Sequence, residues 1–306
     1  MRQNVNQNKK VLILGASGML GSMLVDVFAK SCPFEITATV RTKNIIEEFQ
    51  KKYQKVNFAI FNIELNTLEN LLVSAKPDWI VNAIGIIKPF IHDKPEEIQN
   101  AIKINALFPY TLANGAKKIN AKVIQIATDC VFSGKIGNYN ESDPYDTLDV
   151  YGKTKSLGEI HMDNFYNLRC SIIGPEIQTK NSLLEWILRQ PKNARLNGFT
   201  NHSWNGLTTL QFAKICQGII SNDLKPVTIQ HIIPKDTVTK DELLRLSARF
   251  FNRGDILIQP VSAKESINRT LQTSYGKMNQ LLWEKAGYPK IPTIAQMLEE
   301  LATHNS

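Results

Sequence analysis

The chain has 306 residues, of which 43% are hydrophobic and 21% charged, and its formal net charge is +8. Such a balance suits a globular protein of one large or two smaller domains, and no run of about 18 apolar residues is present to cross a membrane. The lysines are dispersed, with no basic stretch interleaved with aromatics, which argues against a nucleic-acid surface and leaves a bland basic exterior or a preference for phosphate-bearing small molecules.

MRQNVNQN (1–8) reads as a polar, frayed lead-in. KKVLILG (9–15) is a short apolar run stopped by glycine, a buried strand rather than the apolar part of a signal peptide, because glycines punctuate the next residues and Asp26 comes soon after. SGMLGSMLVDVFAK then reads as a helix, FEITATV (34–40) as a strand, TKNIIEEFQKKY as a helix, KVNFAIF as a strand, NTLENLLVSAK as a helix and DWIVNAIG (78–85) as a strand. A long helix is expected over 95–118, broken or kinked near Pro109. AKVIQIAT (121–128) is a fifth strand; a helix begins near Tyr151 after a loop rich in Gly, Asn and Asp, and NLRCSIIG (167–174) is a sixth strand. Beyond Gly174 the pattern loosens. The stretch with Trp186, Trp204 and GFTNHSWNG reads as irregular, followed by a helix in TTLQFAKICQGII, a strand in VTIQHII, a helix in KDELLRLSARFF, a short strand in ILIQPV and two terminal helices separated by Pro289 and Pro292.

Strands apolar on both faces and alternating with helices predict an α/β fold with a doubly wound parallel sheet. The expected division is a dinucleotide-binding domain over 9–174, to which 207–233 returns, and a smaller, discontinuous C-terminal substrate-binding region made of 175–206 and 234–306. The four cysteines, Cys32, Cys130, Cys170 and Cys216, form no C-x-x-C pair and the five histidines are scattered, so a reduced, cytoplasmic, metal-free protein is expected.

Doubly wound sheets bind ligands at the carboxyl ends of their strands. The first strand ends in G15-A-S-G-M-L-G21, where glycines permit the tight turn and the close approach of a pyrophosphate, which then meets the helix N-terminus. Gly15, Ser17, Gly18, Met19, Leu20 and Gly21 are therefore candidate dinucleotide contacts. The second strand ends at Arg41, which either receives the 2′-phosphate of NADP or is a solvated surface residue; with no acidic residue beside it, NADP(H) is the preferred cofactor and NAD(H) stays open. Asn62 and Ile63 could edge the adenine, and the small residues of N82-A-I-G85 could let a cofactor lie against the sheet through Ala83, Ile84 and Gly85, or simply pack. Thr128 ends the fifth strand. Tyr151 and Lys155 come after it at i and i+4, on one face of a helix, where a cation near the phenol would make it a better acid.

Together, GASGMLG, NAIG, KINALFPYTLA, ATDCVF and YGKTKSLGE resemble the extended short-chain dehydrogenase/reductase family. The order Thr128–Phe132, Glu141–Asp143, Tyr151–Glu159 is similar to the dTDP-4-dehydrorhamnose reductase branch. The resemblance implies a Rossmann domain in which Tyr151 is the catalytic acid, Lys155 its partner and ribose ligand, Thr128 the hydroxyl on the reacting oxygen and Asn105 an organiser of the site, with Ile172 in the segment lining the nicotinamide. The family's dehydratases carry Asp-Glu after the threonine; here the pair is Asp129-Cys130, which removes the carboxylate that assists water elimination. The expected function is NADPH-dependent reduction of a nucleotide-activated 4-keto-6-deoxy sugar in surface polysaccharide biosynthesis. Lys88, Thr128, Cys130 and Trp204 are substrate candidates, Lys88 and Trp204 being equally readable as a surface lysine and a core indole. Partners beyond the nucleotide sugar are not expected, a homodimer being left open. An epimerase and a non-catalytic NADP-binding regulatory subunit are the alternatives.

Overall fold

The computed structural model describes residues 8–31, 33–92, 94–178 and 181–304. Most of the expected frayed lead-in and Cys32 therefore lie outside the described residues.

Strands β1 (Lys10–Leu14), β2 (Glu35–Val40), β3 (Val56–Ile60), β4 (Trp79–Asn82), β5 (Lys122–Thr128) and β6 (Phe165–Cys170) alternate with helices α1 (Met19–Ser31), α2 (Lys43–Lys52), α3 (Leu68–Ala75), the successive α4 (Pro95–Ala101) and α5 (Phe108–Lys118), and α6 (Val150–Leu157). The later elements are β7 (Ile172–Ile173), α7 (Leu183–Leu188), β8 (Arg195–Phe199), β9 (His202–Trp204), β10 (Leu207–Thr208), α8 (Thr209–Asn222), β11 (Ile229–His231), β12 (Val238–Thr239), α9 (Lys240–Phe250), β13 (Leu257–Val261), β14 (Ile267–Asn268), α10 (Gly276–Lys285) and α11 (Ile294–His304).

Seven strands make one parallel sheet in the order β11-β6-β5-β4-β1-β2-β3. The chain winds outward from β1 through β2 to β3, then returns to β4 on the other side of β1, so the winding reverses between β1 and β4 and opens a crevice at their carboxyl ends. The two-residue period of β1 shows why the sheet is covered twice. Val11 and Ile13 pack in one cluster with Leu24 and Phe28 of α1 and Phe212 and Ile215 of α8. Leu12 and Leu14 face the other way, into Leu68 and Leu72 of α3 and Leu112 and Ala116 of α5. Burying a side chain of this size is worth roughly 1.5–3 kcal/mol, so β1 is held from both of its faces.

Three sequence expectations change. The strand in DWIVNAIG stops at Asn82, because the Asn82 side-chain oxygen takes the Ile84 N–H at 3.2 Å in place of a ladder partner. The helix over 95–118, expected to be broken or kinked near Pro109, runs through that residue and is distorted just before it. Six residues before it, Ile102–Leu107, are wound as a π-helix, with the Phe108 N–H reaching back five residues to Lys103 O. Pro109 has no N–H for the Asn105 carbonyl four residues back, and the wider π turn absorbs that mismatch. Finally, the stretch read as irregular holds α7, with Trp186 in it, and two strands. Strand β8 pairs with β13 and β9 with both β12 and β14, partners 34 or more residues away that leave no local mark on the sequence.

Candidate active site

The turn after β1 is shaped by two of its glycines and left open at the third. Gly15 has φ +82°, and a Cβ there would come within 3.0 Å of Ile84. A Cβ on Gly21 would sit 2.0 Å from the Gly15 carbonyl oxygen, whereas one on Gly18 would meet that oxygen at an ordinary 3.5 Å. Gly15 and Gly21 thus set the turn, and Gly18 is the position it leaves exposed. Thr39 of β2, buried and missed by the sequence reading, fixes the turn: its hydroxyl accepts from Gly15 N–H at 3.1 Å and its carbonyl from Ala16 N–H at 2.8 Å. Ser17 is buried and Met19 half-buried, while Leu20 turns its side chain into the core, leaving only backbone for the crevice.

Arg41 stands exposed at the end of β2 with no ion pair among the described residues. Asn62 is committed to its own turn, with its side-chain oxygen on Glu64 N–H at 2.9 Å and its N–H on Asn66 at 2.8 Å; Ile63 packs against the core beneath. Ala83 and Ile84 likewise pack to opposite sides of the sheet. Ile172 is half-buried in β7, paired with Leu207 of β10.

On the next strand end, Thr128 is 8% exposed; its hydroxyl accepts from Cys130 N–H at 3.1 Å and donates to Asp129 at 3.3 Å. Helix α6 is delivered onto this corner by contacts that leave no room for side chains. A Cβ on Gly152 would be 2.3 Å from the Cys130 carbonyl, and one on Gly158 would be 1.9 Å from the Asn105 carbonyl. Asp149 caps the helix, accepting from Gly152 N–H at 2.9 Å, and Thr154 is buried against the Asn105 amide at 3.3 Å. Asn105 spends its remaining capacity on both backbone groups of Ile86, each at 2.9 Å. It therefore holds the strand end to the helix and does not itself face the crevice. Each glycine and the threonine of YGKTKSLGE has a packing reason, and the motif arrives as a rigid block bearing Tyr151 and Lys155.

Tyr151 is half-buried and lines a cavity of about 230 Å³ with Lys88, Ile91, Leu148, Asp149 and Val150. Burial holds its phenol well above the ordinary tyrosine value, Cys130, Asp129 and Asp149 add to this, and the Thr128 hydroxyl pulls the other way. The phenol is a proton donor at neutral pH. Lys155 is 8% exposed and donates to Ile126 O at 2.9 Å. Burial pulls its ammonium down to about 8, against the Glu159 carboxylate. The expected pull of Lys155 on the phenol is not what dominates here: the long side chain reaches down to β5, and Thr128 is the group that favours the phenolate. Cys130, pushed up to about 12 first by burial and then by Asp129, stays a thiol.

Lys88 is largely exposed and pairs with Asp149 at 3.0 Å, at the mouth of the same cavity. Trp204 is 4% exposed with its N–H on Ser171 at 2.8 Å; the indole has no free polar edge and acts as a core residue whose face underlies the Lys240 ammonium at 5.6 Å. Lys240 and Arg269 are the residues that the sequence concealed. Both stand beside Asp129 and Cys130, the same groups that flank Thr128. Burial lowers the proton affinity of Lys240 and Arg269 lowers it further, while Asp129 and Cys130 oppose this; burial raises the Asp129 carboxyl against the two cations. They come together because β12, β9 and β14 form one small sheet, and Lys240, Trp204 and Arg269 sit at or just past the ends of those strands. A T-K-D-E capping box at 239–242 marks the helix start, but nothing local says which cleft Lys240 enters. Among the described residues, no helix is long and apolar enough to cross a membrane and no His, Cys, Asp and Glu cluster could hold a metal ion.

The profile of the RmlD substrate binding domain matches residues 9–305. In sequence the chain is similar to the spore coat polysaccharide biosynthesis protein SpsK of Bacillus subtilis, 30% identical over 151 residues, 49% of this chain and 47% of that protein. It is 28% identical over 152 residues to methionine adenosyltransferase 2 subunit beta of Bos taurus, covering 50% of this chain and 42% of the other. The same identity over 152 residues relates it to dTDP-4-dehydrorhamnose reductase of Aggregatibacter actinomycetemcomitans, with 49% and 45% covered. The matched stretch spans less than half the length of each of these relatives. In fold it is similar to dTDP-4-dehydrorhamnose reductase of Bacillus anthracis str. Ames solved in complex with NADP, with TM-score 0.73 and 17% identity over 97% of this chain and 100% of that one. With nearly the whole chain matched and the parallel sheet and its crevice in place, the chain belongs to the RmlD substrate binding domain family, within the extended short-chain dehydrogenase/reductases.

Proposed function

We propose that the protein is an NADPH-dependent reductase of a nucleotide-activated 4-keto-6-deoxy sugar, working in the cytoplasm in surface polysaccharide biosynthesis. The observation that carries this reading is the delivery of Tyr151 and Thr128 to one corner at the end of β5, beside the crevice opened between β1 and β4. The residues present fit a dinucleotide: the glycine turn is closed by Gly15 and Gly21 and left open at Gly18, the α1 N-terminus follows it, and Arg41 is free for a phosphate. The cofactor, when bound, supplies the hydride. The chain's own residues serve the oxygen. The Tyr151 O–H bond breaks and its proton goes to the former carbonyl oxygen, Thr128 donates to that oxygen, and solvent reprotonates the phenol. Lys155, anchored on Ile126 O, offers its remaining donors to the cofactor's ribose. Cys130 supplies no carboxylate for water elimination and stays protonated. Lys88, Lys240 and Arg269 ring the place proposed for the nucleotide sugar, with 175–206 and 234–306 as its binding region and 9–174 plus 207–233 as the cofactor domain. For a homodimer, Ile102, Leu107, Tyr110 and Leu157, each 47–60% exposed on the adjoining helices, offer an apolar face.

A panel of nucleotide 4-keto sugars, followed by NADPH absorbance with product mass, tests the reading. Stoichiometric NADPH consumption with a gain of two hydrogens is expected. No consumption with any keto sugar, or loss of water from an unoxidised sugar nucleotide, would overturn it.

A further inference from the structure

Two ion pairs flank helix α6, and they differ in what they can do. Beneath its far end, Glu159 and Arg169 are buried and joined twice, Arg169 Nε to Glu159 Oε1 at 3.1 Å and Nη2 to Oε2 at 2.5 Å. Parting them would leave two bare charges in a dry place, so this pair stays closed. At the start of the helix, Lys88 and Asp149 meet through one contact, Lys88 Nζ to Asp149 Oδ2 at 3.0 Å, and the lysine side chain is 60% exposed. Water takes up both groups when they part, and a pair of this kind is worth little. Neither partner depends on the other. Asp149 Oδ1 accepts the Gly152 N–H at 2.9 Å in any case. Lys88 opens a short 3-10 turn, Lys88–Phe90, closed by the Ile91 N–H on the Lys88 carbonyl at 3.1 Å, and its long side chain is free to turn about that fixed backbone.

The pair stands at the mouth of the cavity that Tyr151 lines. Ile91, Leu148 and Val150 are apolar walls, while Lys88 and Asp149 carry opposite charges that cancel. The cavity measures about 230 Å³, less than the roughly 300–1,000 Å³ of sites that enclose a whole small molecule. It has room for a sugar ring but not for the nucleotide attached to it. A sugar whose C4 oxygen reaches Tyr151 carries its diphosphate on the opposite side of the ring, out toward the mouth. There the anion meets a cation already held by a carboxylate.

We propose that Asp149 is an autoinhibitory contact: it holds Lys88 across the mouth until the diphosphate of the substrate takes the lysine from it. The inference deepens the reductase reading and rests on it for the place of the sugar. A diphosphate carries more charge than one carboxylate and offers the ammonium several oxygens. Sharing the ammonium would set two anions side by side, so the stronger acceptor displaces the weaker. Asp149, once left, keeps its Gly152 N–H and its exposure to water, so the exchange strands no charge. A keto sugar without the diphosphate does not take Lys88, and for it the bridge stays shut.

The test titrates thymidine, uridine and guanosine diphosphates by calorimetry into protein saturated with NADP+. Asp149→Asn is the informative variant, because asparagine caps a helix as well as aspartate does and only the charge that holds Lys88 is lost. Affinity for the nucleoside diphosphate that the wild type binds best should rise about three- to fivefold, the scale of an exposed ion pair, and the KM of the keto sugar should fall with it. Lys88→Met should lower the same affinity by about tenfold, and adding Asp149→Asn to it should bring no gain. NADP+ titrated alone should bind the three variants as it binds the wild type. If Asp149→Asn binds the diphosphate no better than wild type, the bridge is not inhibitory and the proposal falls. A gain that survives in the Lys88→Met background overturns it too, since Asp149 would then repel the anion directly. So does a change in NADP+ affinity, which would make the cofactor's diphosphate the one that Lys88 meets. The expected pattern of nucleoside diphosphate affinities in a protein that reduces no keto sugar sustains the latch and removes the reductase reading instead.

Discussion

The two walls of the crevice are built on different plans. On the side proposed for the cofactor each feature follows its strand within a residue or two: Gly15 after β1, Arg41 after β2, Ala83 after β4, Thr128 at the end of β5. On the opposite wall, Trp204, Lys240 and Arg269 are brought together by the pairings of Trp204 with Val238 and of Ser203 with Thr239 and Asn268, between segments separated by tens of residues. One wall is written in consecutive residues, and the other exists only once distant strands have paired. Helix α6 lies where the two walls meet, and variants there and on either side ask whether the walls also work separately.

The largest effect is expected where the walls converge. Tyr151→Phe removes one hydroxyl from a side chain otherwise held by its surroundings, so fold and NADPH affinity should be kept. Turnover of the keto sugar should fall by about 10²–10⁴-fold, the usual contribution of a general acid. Stopped-flow turnover beside a cofactor titration checks this, and a variant as fast as wild type would remove Tyr151 from the chemistry.

Next comes the ion pair beneath that helix. Arg169→Met leaves Glu159 as an uncompensated buried charge and should cost about 3–5 kcal/mol in urea unfolding at neutral pH, whereas adding Glu159→Gln should recover most of it. If the single and double variants unfold alike, the pair is not coupled. Arg169 also shows the limit of the sequence. NLRCSIIG has the apolar look of a central strand, and nothing near its arginine in the sequence supplies a partner for it. The structure buries it completely, because its partner Glu159 comes from the end of the preceding helix and His231 from a strand that joins the sheet some 60 residues later. The turn at Gly15 and the i, i+4 spacing of Tyr151 and Lys155 were legible because they are local, whereas the close approaches of Gly152 to Cys130 and of Gly158 to Asn105 join distant segments and show only in the structure. Lys240 and Arg269 were not, since nothing within a few residues of either differs from a solvated helix start or a loop.

A smaller and opposed pair of effects sharpens the contrast between the walls. Arg41→Ala should weaken NADPH binding by about tenfold or more, the scale of one hydrogen bond to a charged group, with NADH affinity and the KM for the keto sugar unchanged. Lys240→Met should do the converse, raising the KM for the sugar and leaving both cofactors alone. Fluorescence titration and steady-state kinetics on the two proteins decide it: if either variant moves both ligands, the walls are coupled rather than separate.

The smallest expected effects belong to Asp149, which touches both plans. One of its carboxylate oxygens caps α6 at Gly152 N–H, 2.9 Å away, and the other pairs with Lys88 at 3.0 Å. Burial alone would raise this carboxyl, but the Gly152 N–H and Lys88 outweigh it and hold it below the usual range. The two contacts should differ in weight. The cap satisfies a helix donor that has no other partner, and losing it typically costs about 1 kcal/mol. Lys88 is 60% exposed, and an exposed ion pair is worth about 0–1 kcal/mol after screening. Asp149→Ala should therefore lower stability measurably and Lys88→Met barely. The pH dependence follows from the sign of the shift. A carboxyl held low in the folded state stabilises above its unfolded value and loses that contribution as pH falls through the folded one. The gap between wild type and Asp149→Ala should then be full at neutral pH and shrink in acid, while Lys88→Met tracks wild type throughout. Urea unfolding across that range reads both curves. A Lys88 variant as destabilised as the Asp149 one would mean that the bridge to Lys88, rather than the helix cap, seats Tyr151 at the end of β5.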